Sequence, residues 1–224
     1  MASMVARSRP SEKFGTDSRG RDTARSLGSV KAYYDRRAPE YDEWYRGTGR
    51  FADRERPGWD EEIDVLRRAL EALPAARTLD VACGTGFLTR HLPGEIVGLD
   101  QSDSMLDEAR RQAPDATYVR GDALELPFED GSFERLFTGH FYGHLEPPER
   151  EEFLGEARRV ARELVIVDSA VQPDLPREEW QERTLNDSSR WQVFKRYFEP
   201  DALAAELGGG NTVFAGRWFV AVRS

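Results

Sequence analysis

The sequence is poor in the groups that stabilise secreted proteins and anchor membrane proteins. Its only cysteine, Cys83, cannot form a disulfide within the chain, and no apolar run of signal-peptide length stands near the N-terminus. We therefore expect a cytoplasmic protein. No stretch approaches the roughly 20 apolar residues of a membrane-spanning helix, so we expect no residence in a membrane.

Positive charge is in deficit, with 32 Lys and Arg residues against 41 Asp and Glu residues and a formal net charge of -9. Because nucleic-acid affinity depends on cations that neutralise phosphates, this balance disfavours a nucleic-acid partner. The hydrophobic fraction of 39% and the aromatic fraction of 11% suffice for a packed core. We expect a globular protein, a monomer or a homodimer, that does not act on nucleic acid.

The chain divides into a polar start and a longer patterned part. Residues 1–28 carry few large apolar side chains, so burial cannot offset the entropy of ordering them, and a flexible arm is predicted. The length of 224 residues suits one further domain over residues 29–224. Its aromatic-rich first segment, about residues 29–58, is predicted to form an N-terminal helical cap.

Helix and strand patterns alternate after the cap. Helices are predicted at residues 59–73, 87–92, 102–113, 147–161 and 200–207, and strands at 77–82, 95–100, 116–120, 133–138 and 163–168. The apolar runs 212–215 and 218–222 are predicted to pair as a terminal hairpin at the sheet edge. This alternation predicts an α/β fold of the Rossmann-like kind, with a doubly wound, mostly parallel sheet and an antiparallel edge strand.

A glycine turn follows the first predicted strand in the run Thr78-Leu-Asp-Val-Ala-Cys-Gly-Thr-Gly86. Gly84 and Gly86 lack a Cβ atom and so allow a ligand to approach the backbone. Asp80, four residues before the first glycine, would accept a hydrogen bond from the ammonium of an amino-acid ligand, whereas a dinucleotide pyrophosphate would be repelled. Asp100 ends the next strand and is placed to accept hydrogen bonds from both hydroxyls of a ribose.

Three segments carry a family resemblance, in the order expected for the family. Leu79-Asp-Val-Ala-Cys-Gly-Thr-Gly86 resembles the first motif of class I S-adenosylmethionine (SAM)-dependent methyltransferases, and Gly98-Leu-Asp-Gln-Ser-Asp-Ser-Met105 resembles the segment after it. Gly121-Asp-Ala-Leu-Glu-Leu-Pro-Phe-Glu-Asp-Gly-Ser-Phe133 is similar to the family's Asp-x-x-x-Leu-Pro-Phe stretch. Tyr34-Asp-Arg-Arg-Ala-Pro-Glu-Tyr41-Asp is similar to the N-terminal helix of the ubiquinone and menaquinone methyltransferase group.

The resemblance implies SAM as cofactor and assigns residues to its parts. Gly84 and Gly86 would face the methionine part, with Asp80 near its ammonium, and Asp100 would hold the ribose. Met105 would lie near the adenine, Asp122 and Ala123 would contact its polar edge, and Thr138 would line the floor beneath the sulfonium. Flanking contacts are expected from Ala82, Cys83 and Gln101, with the Cys83 thiol as a packing group rather than a nucleophile.

Methyl transfer from a sulfonium is a direct displacement, which an enzyme can promote by alignment and exclusion of water. A base is needed only where the acceptor must lose a proton, and His144, His140 and Tyr34 are the candidates. Both histidines follow the fourth predicted strand, where doubly wound folds place their crevice. Their His-x-x-x-His spacing also fits a metal pair, but no third ligand is evident, so no metal site is predicted.

Aromatic residues are dense in two segments, Tyr33 to Trp59 and Trp180 to Phe198. In the resembling enzymes these regions cover the acceptor, which implies a small aromatic or apolar acceptor. Two alternatives remain open. A nicotinamide-dependent oxidoreductase would use Asp100 in the same way, although Thr89 stands where its third glycine belongs. A SAM-binding module without catalytic activity is the other alternative.

Overall fold

A seven-stranded β-sheet lies at the centre of the protein, which a computed structural model describes for residues 31–224. The arm predicted over residues 1–28 lies outside the described residues. The strands are β1 (Ala76–Val81), β2 (Gly94–Asp100), β3 (Thr117–Arg120), β4 (Phe133–Gly139), β5 (Ala161–Ser169), β6 (Glu178–Thr184), β7 (Arg190–Arg196), β8 (Asn211–Ala215) and β9 (Phe219–Arg223). Strands β6 and β7 form a separate two-stranded sheet.

The strand order of the main sheet is β3-β2-β1-β4-β5-β9-β8, which changes direction between β1 and β4. β1 pairs in parallel with β2 on one side and with β4 on the other. In doubly wound sheets, ligands bind outside the carboxyl ends of the strands at this switch point. β9 runs antiparallel to both β5 and β8, so the reversed strand lies second from the edge. The predicted Rossmann-like fold and terminal hairpin are confirmed.

Among residues 31–224, four helices begin and end close to predicted positions, and two others form in the cap. They are α1 (residues 31–37), α2 (Glu43–Arg46), α3 (Trp59–Glu71), α4 (Asp103–Gln112), α5 (Pro147–Val160) and α6 (Pro200–Glu206). The Ser102 hydroxyl oxygen caps α4 by accepting a hydrogen bond from the Met105 amide at 3.2 Å. Glu146 and Glu149 form a capping box at the start of α5, where Pro147 occupies the first turn.

Apolar clusters on the two faces of the sheet hold the helices in place. In β5, Val165 belongs to one cluster and Ile166 to the other, because successive side chains of a strand point to opposite faces. The first cluster includes Leu70 of α3, and the second includes Phe153 of α5. Both side chains are fully buried, and each contributes about 1.5–3 kcal/mol of hydrophobic stabilisation.

The prediction of a helix at residues 87–92 is wrong, because only a 3-10 turn, Thr89–His91, forms there. Leu92 is extended before Pro93, as residues preceding proline usually are, and Gly94 has a φ of 106°. Residues 82–93 therefore connect β1 to β2 without an α-helix, so no α-helix directly follows the glycine turn. Among residues 31–224, every helix is too short or too polar to cross a bilayer.

Candidate active site

A cleft lies at the carboxyl ends of the central strands and encloses about 1090 Å³, open solvent included. The α1 helix and the hairpin of β6 and β7 contribute to its walls. Ten of the residues predicted for the site line it. They are Tyr34, Ala82, Gly84, Asp100, Gln101, Met105, Asp122, Ala123, His140 and His144.

The glycine turn is built from residues with positive φ. Ala82, Gly84 and Gly86 have φ values of 55°, 56° and 77°. Gly84 lines the cleft, whereas Gly86 packs against α4, where a Cβ atom would lie 3.1 Å from the Ala109 Cα atom. The structure therefore gives Gly86 a packing role and leaves Gly84 as the point of close approach to the cleft.

Asp100 anchors this turn through its carboxylate. Its Oδ2 atom accepts a hydrogen bond from the Gly84 amide at 3.0 Å, and its Oδ1 atom accepts one from the Ser102 amide at 2.9 Å. Burial raises the pKa of Asp100 to about 6, although these amides act in the opposite direction. Each carboxylate oxygen has two lone pairs, so both can also accept from a ligand hydroxyl.

Asp80 is a second buried carboxylate beside the turn. It lines a smaller pocket that adjoins the cleft and shares Tyr41, Ala82 and Gly139 with it. The Thr89 hydroxyl donates to Asp80 Oδ2 at 2.6 Å, and among residues 31–224 no Lys or Arg forms an ion pair with this carboxylate. Burial raises the pKa of Asp80 to about 7. A cationic group of a ligand would stabilise the ionised form.

Two other predicted residues lie outside the main cleft. Cys83 lines the smaller pocket, and burial raises the pKa of its thiol well above the ordinary value, which fits a packing group. Thr138 is buried and donates its hydroxyl hydrogen to the Val81 carbonyl oxygen at 2.8 Å. Its side chain thus joins β4 to β1 and does not form the floor of the cleft.

The cap is hydrogen-bonded to the segments that carry the predicted cofactor residues. Ser102 Oγ donates to Asp35 of α1 at 2.6 Å, and the Thr85 hydroxyl donates to Asp42 at 2.6 Å. Tyr41, which was not among the predicted site residues, lies against the turn, with its ring 3.8 Å from where a Cβ atom of Gly84 would stand. The cap therefore closes directly over the glycine turn.

His144 has a defined tautomer. Its Nδ1 atom lies 2.6 Å from the Phe194 carbonyl oxygen, which can only accept, so Nδ1 carries the hydrogen and Nε2 presents a lone pair. Burial, followed by the positive charge of Lys195, lowers the pKa of His144 well below its ordinary value. The imidazole is neutral at pH 7 and can accept a proton, but it is a weak base.

His140 is strained and buried. It has a φ of 58°, unusual for a residue with a side chain, and it is 6% exposed. Neither ring nitrogen has a hydrogen-bond partner within the described part of the chain. The nearest aromatic neighbour is Trp44, with ring centroids 4.9 Å apart. Burial lowers the pKa of His140 to about 3, so its ring is neutral.

An ion pair behind these histidines was not predicted. The Lys195 ammonium donates to Asp168 Oδ1 at 2.6 Å, with both side chains almost completely buried. Asp168 Oδ2 also accepts from the Gly143 amide at 2.7 Å and so fixes the loop between the two histidines. The sequence feature that could have pointed to this ion pair is Lys195, the one lysine among the residues of β7. No metal-binding cluster of three or more His, Cys, Asp or Glu occurs among residues 31–224.

Comparison with known sequences finds a family match over part of this chain. Residues 78–163 match the family described as "Methyltransferase domain". The demethylmenaquinone methyltransferase of Beutenbergia cavernae is 36% identical over 114 residues, which are 48% of this chain and 47% of that protein. The Staphylococcus aureus enzyme of the same name is 36% identical over 111 residues, 45% of each chain. The match thus spans about half the length of the curated relatives.

Comparison with solved structures finds a similar fold over a longer part of this chain than the sequence matches cover. The structure of a DhpI–SAH complex has a TM-score of 0.68 and 24% sequence identity, and the match covers 88% of this chain and 95% of that chain. At this level of identity the likeness shows a shared fold.

Proposed function

We infer that this chain, whose residues 78–163 belong to the methyltransferase domain family, is a SAM-dependent methyltransferase acting on a small-molecule acceptor. The observation that carries the proposal is the pair of buried carboxylates, Asp80 and Asp100, at the ends of adjacent strands beside one glycine turn. One suits the ammonium of an amino acid and the other suits a ribose, and SAM contains both groups.

The structure offers a physical reason why SAM fits and a dinucleotide does not. Asp80 is a buried acid without an ion-pair partner among residues 31–224, and a ligand ammonium would supply the missing charge. The pyrophosphate of a dinucleotide would meet this carboxylate as a like charge. No helix N-terminus follows the turn to offset that repulsion.

The remaining cofactor contacts are proposed from the residues that line the cleft. Met105 and Ala123 offer apolar surface for the adenine, and Asp122 stands beside them to accept from its amino group. Gln101 flanks the ribose position, and Gly84 with Ala82 brings backbone close to the methionine part. Gly86, Cys83 and Thr138 support the backbone from outside the main cleft.

When bound, SAM supplies an activated methyl group whose bonding electron pair remains with sulfur as the acceptor's own electron pair forms the new bond. The chain aligns the acceptor and excludes water, since the cap covers the cleft and Tyr34 contributes to its wall. Where the acceptor carries a proton, we assign its removal to Nε2 of His144, the ring nitrogen left without a hydrogen. His140 and Tyr34 line the same cleft and position the acceptor.

The acceptor is proposed to have an aromatic or apolar body. Aromatic side chains line the cleft from the cap, from the β6–β7 hairpin and from the segment after β4, namely Tyr33, Tyr34, Tyr41, Trp180, Phe194 and Phe141. The curated relatives are named for a demethylmenaquinone substrate, which is consistent with such a body. We also propose that residues 29–224 form one domain that works in the cytoplasm as a monomer or homodimer.

Isothermal titration with S-adenosylhomocysteine (SAH) and with NAD tests the proposal. We expect micromolar binding of SAH and no binding of NAD. Asp100→Ala should weaken SAH binding about ten- to a few hundredfold, because hydrogen bonds to a charged group contribute about 1.5–3 kcal/mol each. Asp103→Ala is the matched control, since Asp103 is exposed and pairs with Arg120 at 3.2 Å. Binding of NAD in place of SAH would overturn the proposal.

A further inference from the structure

Arg37 is a buried cation without an acidic partner. The residue is 9% exposed, and no carboxylate forms an ion pair with it among residues 31–224. Its Nη1 atom donates to the Tyr33 hydroxyl, and its guanidinium carbon lies 4.9 Å from the ring centroid of Tyr41. Cation–π contact offsets part of the cost of burial, but a buried charge is normally paired. Both tyrosines line the cleft, so Arg37 stands directly behind its wall.

Arg183 is a second cation of this kind, on the β6–β7 hairpin. It is half-buried, and its guanidinium donates to the neutral Gln181 side chain at 3.1 Å, with no carboxylate in ion-pair distance among the described residues. Gln181 lies opposite Val193, which lines the cleft. Arg183 lies opposite Trp191, whose ring centroid is 5.9 Å from that of Tyr33. The hairpin therefore brings Arg183 to the side of the cap where Arg37 lies.

The two arginines act on the same cleft residues. Their positive charges contribute to lowering the pKa of His144, after burial and the charge of Lys195. They also oppose the rise in the pKa of Tyr34 that burial causes. Lys195 itself is already paired with Asp168. Two cations without a carboxylate partner among residues 31–224 thus stand behind the cleft wall, close enough for their charges to act on Tyr34 and His144 at the end of the cleft assigned to the acceptor.

We propose that Arg37 and Arg183 form an anion-binding subsite, so that the methyl acceptor has an oxyanion, a carboxylate or a phosphate-type group, attached to its apolar body. Guanidinium groups bind such oxyanions through parallel hydrogen bonds, and the ligand's charge would offset the cost of burying Arg37. The inference rests on the proposed function, because it describes the acceptor of that reaction.

The test uses the full chain saturated with SAH and three probes with the same ring: benzoate, phenyl phosphate and the neutral benzamide. We expect at least one of the two anions to bind about tenfold or more tightly than benzamide, consistent with a charge-assisted hydrogen bond. The tighter of the two anions identifies the type of oxyanion. Arg183→Gln should bring the anions to the level of benzamide while leaving SAH affinity unchanged.

Arg190→Gln is the matched control, because Arg190 lies on the same hairpin but is exposed and pairs with Glu182. It should keep the preference for the anion. Arg37→Gln is a second variant, and its SAH affinity reports whether the cap still folds. Equal binding of anions and benzamide by the wild-type protein, or a full anion preference in Arg183→Gln, would overturn the subsite. Failure of the wild-type protein to bind SAH would instead refute the proposed function.

Discussion

The raised pKa of Asp80 predicts that cofactor affinity depends on pH. In the ligand-free protein, burial holds this pKa at about 7, so the carboxyl group is largely neutral in mildly acidic solution. A ligand ammonium stabilises the ionised carboxylate and returns its pKa towards the ordinary value of about 3.9. Binding below pH 7 must therefore remove a proton from Asp80. SAH affinity should rise with pH and level off above about pH 7.

The size of the effect follows from that pKa. At about pH 5.5, only about one Asp80 side chain in thirty is ionised, which makes SAH binding about thirtyfold weaker than at about pH 8, or about 2 kcal/mol. Asp100, with a pKa of about 6, adds a few-fold change in the same direction. The folding stability of the ligand-free protein depends on pH in the opposite direction to SAH affinity. The contribution of Asp80 to stability is complete below about pH 4 and is lost as the pH rises through about 7.

Isothermal titration of SAH across this pH range, with wild type and Asp80→Asn, measures the prediction. Asparagine keeps an oxygen that accepts from Thr89 but cannot ionise, so its SAH affinity at about pH 8 should fall about ten- to a hundredfold. The remaining pH dependence should be the few-fold change from Asp100. Asp122→Asn is the control, expected to keep the wild-type slope. A wild-type affinity that is flat with pH, or an unchanged slope in Asp80→Asn, would refute the assignment.

Gly86→Ala should lower the free energy of unfolding, measured in urea, by about 2–4 kcal/mol, because alanine is strained at this positive φ and its Cβ atom would press on α4. Gly131→Ala is the control and should lower it by about 1–2 kcal/mol, because Gly131 also has a positive φ but faces open space. Equal losses in the two variants would contradict the packing role of Gly86. Lys195→Met should cost about 3–5 kcal/mol by leaving Asp168 buried and unpaired, and adding Asp168→Asn should restore part of it in the same urea assay. His144→Gln should lower turnover about 10²–10⁴-fold with SAH affinity intact. Because burial depresses the pKa of His144, the acid limb of the wild-type rate profile should lie well below pH 6.5, and a limb at 6.5 would point to another base.

The parts of the site that lie close together in the sequence were predictable. The glycine turn and the two acidic strand ends are local features, and their residue types alone restrict the backbone and the ligand. A helix was predicted at residues 87–92 because Phe87, Leu88 and Leu92 have helical spacing, but it does not form. Pro93 and Gly94 end the segment before a helix can extend, and the side chains pack instead below the cap.

The acceptor side was less predictable because it is built from distant residues of mixed polarity. Strands β6 and β7 cover a cleft rather than the main core, so their exposed face is mostly polar, with Trp180 exposed on it. The alternation of apolar and polar residues that predicts a strand is therefore weak. The ion pair of Lys195 with Asp168 joins residues 27 positions apart. The proposed subsite of Arg37 and Arg183 depends on the packing of Trp191 of the hairpin near Tyr33 of the cap. No local pattern reports either arrangement.

The place of β9 in the sheet determines when the sheet can close during synthesis. This strand, Phe219–Arg223, lies between β5 and β8, and residues 219–222 are completely or almost completely buried. Until β9 is available, the gap between β5 and β8 stays open, with unpaired backbone groups and apolar surface on both sides. Chains at this stage are exposed to wrong pairing and to chaperones. Closure of the sheet therefore waits for the translation of those residues, and a chain that lacks them would leave the gap beside β5 open.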